Sequence, residues 1–197
     1  MQELMLLVMV VLVACGEGND RTRTTRRKVP PKDTVAYEQL NSGKYNDAGY
    51  FSSQDGRFMV DFPGRPEHSS DLVDTDVGKV RSHSFIHSPS ATEAFMVFYA
   101  DYPSDYVRSI KPDEMLGKAL AGAMKPLGVE GVEDSEQFTL NGMPALDFRT
   151  QGEALHMVGR IILDGNRLFQ ITIIRDGNYP SQETIDKFFD SFFIGEY

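Results

Sequence analysis

The sequence predicts an α+β type of α/β protein: a central antiparallel sheet of about six to seven strands with helices on both faces. Three observations carry this. Residues 94–100 (AFMVFYA) and 167–174 (RLFQITII) are apolar at odd and even positions alike, so each needs cover on both sides. Residues 112–124 and 181–193 repeat apolar side chains at helical spacing. Asn141-Gly142 and Asp164-Gly165 stand between apolar runs as hairpin signals. A sheet layered between helices satisfies all three.

The elements follow in order within a folded domain expected over residues 49–195. FMVDF at 58–62 alternates, ends at Pro63-Gly64 and reads as a first strand. Residues 79–86 form a weaker, mostly polar strand, and 94–100 a central one. The helix at 112–124 has Pro112, Asp113 and Glu114 in its first turn, where a missing N–H is harmless and negative charge is favoured. Leu116, Ala119, Leu120 and Ala123 make its buried stripe, Gly117 and Gly122 offer close approach to the sheet, and Gly128 lies past its stop. A meander is expected next: 137–140, the Asn141-Gly142 turn, 143–149 with Leu146 and Phe148 on one face, 155–163, and 167–174. The closing helix, 181–193, places Ile185, Phe188, Phe189, Phe192 and Phe193 at i, i+3, i+4, i+7 and i+8. The same stripe would suit a cofactor box or a membrane-lying helix, but Asp and Glu accompany it rather than basic residues, which favours core packing.

Ahead of the domain, residues 4–14 read LMLLVMVVLVA and end at Cys15, the only cysteine of the chain. Eleven apolar residues fall short of the about 20 needed to span a bilayer and fit a signal-peptide core of roughly 7–15. LVACG at 12–16 resembles a bacterial lipobox. The expectation is a signal peptide at 1–14, lipid on Cys15, and a flexible basic linker over 15–48. Met1-Gln2-Glu3 lacks the usual positive charge, which a true start upstream of Met1 would supply; plain secretion and a non-signal apolar terminus are the alternatives. Two or more acyl chains make a durable anchor where one does not. With Cys15 lipidated, no thiol is left for a disulfide, a nucleophile or a metal. Gly16 stands where an inner-membrane retention signal would carry Asp, so the expected address is the bacterial cell envelope, on the outer membrane facing the periplasm if the cell is Gram-negative.

The linker has few large apolar residues and no period, and its 34 residues over 16–49 reach roughly 30 Å as a random coil. Arg21, Arg23, Arg26, Arg27 and Lys28 lie just past the anchor, suited to anionic lipid or wall polymers. The chain as a whole carries a net charge of −9, which argues against a nucleic-acid partner.

A resemblance enters on four phrases: DGRFMVDFPGRP (55–66), FTLNGMPALDF (138–148), GRIILDGNRLFQITII (159–174) and TIDKFFDSFFI (184–194). They resemble the Mog1/PsbP-like superfamily and, more narrowly, uncharacterised bacterial lipoproteins of that fold. The resemblance implies the sandwich architecture. It implies no activity, because members tied to photosystem assembly, nuclear transport or envelope lipid traffic share a fold rather than a site.

Candidate chemistry is sparse. His83 and His87, at i and i+4 of a strand, would be about 13 Å apart at 3.3 Å per residue, too far to share a metal on a straight strand. Glu93 and Asp101 come near them through the next strand, yet surface or edge histidines are the expectation. His156 and Arg160 share a face, with Asp147 on the neighbouring strand, as a polar patch; no serine elbow accompanies it. Asp55-Gly56, Pro63-Gly64 and Asp164-Gly165 read as turns. No cofactor, metal or enzymatic activity is expected. The functional expectation is a membrane-tethered, non-enzymatic interaction module for an envelope protein, wall polymer or lipid. The alternative is a carrier of a small apolar or lipid ligand, and behind it a weak hydrolase. A pocket lined by Met96, Phe98 or Met157 and above about 300 Å³ would favour the carrier.

Overall fold

The computed structural model describes residues 43–45, 49–75, 77–125, 131–152 and 154–195. Cys15, the linker up to residue 42 and Gly128 lie outside the described residues. Among the described residues the chain runs β1 (Lys44–Tyr45), β2 (Phe51–Ser53), β3 (Phe58–Val60), β4 (Glu67–Thr75), β5 (Gly78–Ser90), β6 (Glu93–Asp101), α1 (Ser104–Ser109), α2 (Pro112–Met124), β7 (Asp134–Leu140), β8 (Met143–Gln151), β9 (Leu155–Asp164), β10 (Arg167–Asp176), α3 (Gln182–Asp190) and β11 (Phe193–Ile194).

Seven strands form one antiparallel sheet in the order β4-β5-β6-β10-β9-β8-β7. The double-sided apolar strands β6 and β10 pair at its centre, with Phe169 opposite Tyr99 and Ile171 opposite Val97. One parity of these strands (Phe95, Val97, Tyr99, Phe169, Ile171, Ile173) packs against α3 and a second sheet, β1-β2-β3-β11. The other parity (Met96, Phe98, Leu168, Ile174) packs against α2. Gln170 and Thr172 are buried between Leu168 and Ile174, where the Gln170 amide donates to the Thr172 hydroxyl at 3.1 Å and so offsets part of the cost of burying both.

The second sheet corrects the expectation of a single one. The strand expected at 58–62 ends at Val60 and pairs with β2 and β11 rather than joining the large sheet. Lys44–Tyr45, ahead of the expected boundary at residue 49, pairs with β2. β4 pairs along its whole length with β5, although its sequence predicts no strand: EHSSDLVDT has no hydrophobic alternation, and none of its side chains is fully buried.

The closing helix also needs correction. It begins where Ser181 caps it, the hydroxyl accepting from the Thr184 N–H at 3.2 Å, and it stops at Asp190 instead of 193. Phe192 leaves the helix yet stays buried, stacked on Phe58 at 5.5 Å. Phe193 pairs with Met59 in β11 and is 52% exposed, so it is not part of the buried stripe. Ser191 secures the exit, donating to the Phe188 carbonyl at 2.8 Å and accepting from the Asp61 N–H at 2.9 Å.

α2 keeps its expected bounds, with Pro112 at its start and Met115, Leu116, Leu120, Gly122 and Ala123 buried. Ala119 is only partly buried but packs against the same cluster as Leu116, Leu120 and Ala123, whereas Gly117 faces solvent and makes no close approach to the sheet. In the β7–β8 hairpin Asn141 (φ 50°) and Gly142 (φ 85°) both take positive φ, the demand of the tight turn their sequence signals. Gly159 has a packing role instead: it lies opposite Phe148, whose ring occupies the place of the missing side chain, 2.3 Å from where a Cβ would stand.

Candidate functional site

The polar patch expected on β8 and β9 is built in part. Asp147 and Arg160 are cross-strand partners, and the guanidinium donates to both carboxylate oxygens at 2.7 and 2.8 Å. The Arg160 side chain is 16% exposed and that of Asp147 39%. The rings of Phe138 and Phe189 lie 5.3 Å from the guanidinium carbon, so apolar groups sandwich the cation while the carboxylate holds its edge. The hydrogen bonds that Arg160 donates to Asp147 outweigh burial and hold the Arg160 pKa above its ordinary value. This pair lines a cleft of about 150 Å³ between β7, β8, β9 and α3, where Asp134, Glu136, Asp186, Asp190 and Arg149 also stand. It is half the lower size of a typical ligand pocket and too polar for an apolar guest.

His156 does not join the pair. It lies four residues along β9, opposite Gln151 and Arg175, with its ring edge-on to Tyr179 at 4.7 Å. Its Nδ1 is buried without a hydrogen-bond partner among the described residues. Tyr179 donates its hydroxyl to the Glu133 carboxylate, and burial together with that bond pushes its pKa up to about 12. Arg149, 5.8 Å from the Tyr179 ring, donates to the Gln182 side-chain oxygen at 2.8 Å. The patch is thus an Arg–Asp clamp at one place and an aromatic-histidine contact at another. Among the described residues, no carboxylate holds His156 Nδ1 as the acid of a catalytic triad would.

The histidines of β5 are separated in the way their spacing implies, but the expectation of surface or edge positions fails for His83. It is 7% exposed and stacks on Tyr99 at 4.5 Å. Its neighbour is His68 of β4, with Nε2 of His68 3.3 Å from Nδ1 of His83. His68 in turn stacks on Phe85 at 4.6 Å. Beyond Tyr99 stands Arg167, 4.6 Å from that ring, its guanidinium forked onto Asp101 at 2.7 and 2.6 Å. A ladder of rings and charges therefore crosses β4, β5, β6 and β10 on one face. His87 is half-buried and apart from it; its Nδ1 meets the Arg65 carbonyl at 3.2 Å, and its ring packs over Gly64.

His68 and Tyr99 are the residues that sequence reasoning misses here. Without β4, His83 has only Tyr99 of β6 opposite it and no second histidine across the strands, and the nearest histidine in the chain is His87. Among the described residues, no three or more His, Cys, Asp or Glu side chains gather in a way that could hold a metal ion. No described helix is long and apolar enough to cross a membrane. Chemically, the Arg160 and Arg167 guanidinia are each already matched by a carboxylate, Asp147 and Asp101. No protein-family model and no curated protein sequence matches this chain.

Proposed function

We propose that this chain is a lipid-anchored cell-envelope protein whose Mog1/PsbP-like domain works as a non-enzymatic interaction module. The address rests on LVACG at residues 12–16 and the apolar run before it. The fold assignment is supported by the seven-stranded antiparallel sheet with helices on both faces and by the phrases that build it. DGRF makes the turn into β3, NG turns the β7–β8 hairpin, and FFDSF ends α3.

The observation that favours a module over a carrier is the packing of Met96, Phe98 and Met157. All three are buried in one cluster with Met115, Leu116, Leu120 and Ala123 of α2, in the space where a ligand held between helix and sheet would have to sit. Opening that space would cost the contacts that hold α2 in place.

Two measurements test the reading. Expression of the full chain and of Cys15→Ser in a bacterial host should give a wild-type mature mass increased by a diacylglycerol and acyl group and a membrane fraction that the variant leaves. An unchanged mass and fractionation on substitution would remove the anchor. Native mass spectrometry of the purified protein should find no lipid beyond the covalent anchor, and protein or wall polymer bound to it; stoichiometric non-covalent lipid held by the folded domain would return the carrier to favour.

A further inference from the structure

Among the described residues, edge strand β4 pairs on one side only, with β5, and buries none of its side chains fully. Its inward contribution to the aromatic face is His68, which lies on Phe85 and meets His83 nitrogen to nitrogen at 3.3 Å with the rings 9° apart. Two imidazole nitrogens at that distance are joined when one carries a hydrogen and the other offers a lone pair. A neutral pair or a singly protonated pair meets the condition. A doubly protonated pair sets N–H against N–H and two positive charges side by side.

We propose that His68 and His83 form an acid-sensitive clasp, which fastens edge strand β4 to the sheet at neutral pH and lets it go when both rings are protonated. The groups facing His83 reinforce this. His68 of β4, Arg81 of β5 and Arg167 of β10 oppose a positive charge there, whereas Asp101 of β6 favours one but already holds the Arg167 fork. Tyr99 of β6 covers the remaining ring face. Burial first, and then these cations, hold the His83 pKa down at about 4, against 6.5 for an ordinary histidine.

The direction of the effect follows from proton counting. Between pH 6.5 and 4 a released, solvated His83 binds a proton that the clasped one refuses, so acid favours release. The stabilisation is fully present above pH 6.5, is lost as pH falls toward 4, and changes no further below it. Release would bare the N–H and C=O groups of β5, a sheet edge otherwise covered.

Amide hydrogen exchange on the full chain tests the clasp, with β10 amides as internal reference and rates corrected for intrinsic pH dependence. From pH 7 to pH 5 the protection of residues 67–75 should fall at least threefold relative to β10, with about twentyfold the ceiling set by full exposure of one such site. A smaller relative change overturns the proposal. In His83→Phe the response specific to β4 should vanish, and its persistence is equally fatal; His83→Gln serves the same purpose if the phenylalanine variant does not fold. Ring NMR titration of the wild-type chain needs no variant. His83 should titrate well below 6.5, and a value at or above it refutes the clasp.

Discussion

On one face of the seven-stranded sheet the helix α2 lays Met115, Leu116, Leu120 and Ala123 onto Met96, Phe98, Met157 and Ile161, with Val107 of α1 at its side. On the other face the cover is assembled from two ends of the domain: Phe51, Phe58, Val60 and Phe62 before the large sheet, and Ile185, Phe188, Phe189 and Phe192 after it. The first closure is local and aliphatic. The second is long-range and aromatic, with ring pairs such as Phe62 on Phe188 at 5.3 Å and Phe58 on Phe192 at 5.5 Å joining segments more than a hundred residues apart. A helix that carries its own stripe needs only a flat apolar partner, whereas the aromatic face exists only when both chain ends are in place. Loss of a ring there should therefore loosen the second sheet and α3 together.

The comparison breaks most directly at its two centres. Phe58 is fully buried among Phe51, Phe85, Tyr99, Phe169 and Phe192, at centroid distances of 5.2 to 6.4 Å. Phe58→Ala should cost about 3–5 kcal/mol in urea unfolding, and Leu116→Ala on the other face about 2–5 kcal/mol. Because the two sites belong to separate clusters, the double variant should equal the sum within about 0.5 kcal/mol. A large coupling would mean that the faces do not behave as independent closures.

Asp147→Asn separates polar from apolar cover on the aromatic side. It strips the charge from the partner of a guanidinium held between Phe138 and Phe189, so a loss of about 1.5–3 kcal/mol is expected, with little sensitivity to salt. A loss under about 0.5 kcal/mol would show that ring packing alone seats Arg160. On the aliphatic side, Gly159→Ala drives a methyl group into the Phe148 ring and should cost about 1–3 kcal/mol by thermal unfolding. The smallest expected effect is Ser181→Ala, which removes the cap of α3 and about 1 kcal/mol, read as faster exchange in its first turn.

Elements that satisfy themselves locally are legible in the amino-acid sequence. α2 begins at its proline and ends at residue 124 as its stripe implies, and Asn141-Gly142 makes its turn because both residues tolerate positive φ. β6 and β10 are legible because hydrophobicity on both parities has one structural meaning. β4 is not: its side chains alternate between exposed and half-buried, and main-chain pairing to β5 rather than a hydrophobic pattern makes it a strand. The end of α3 is hidden for the opposite reason. Phe192 and Phe193 continue the helical period, but stacking of Phe192 on Phe58 and pairing of Phe193 with Met59 outcompete another helical turn.

The site divides along the same line. The meeting of Asp147 and Arg160 is readable, since the register of adjacent antiparallel strands is fixed by the short connection between them. The turn of His156 to Tyr179, and of His83 to His68, is not, because those contacts depend on segments whose places come from packing. By itself the sequence determined the double-sided sheet core, the amphipathic cover of α2 and the tight turns, all consequences of period and backbone preference within a dozen residues. Only the tertiary structure decided that a second sheet closes the aromatic face and that two histidines share an edge, because strand pairing and ring stacking between distant segments leave no local period to read.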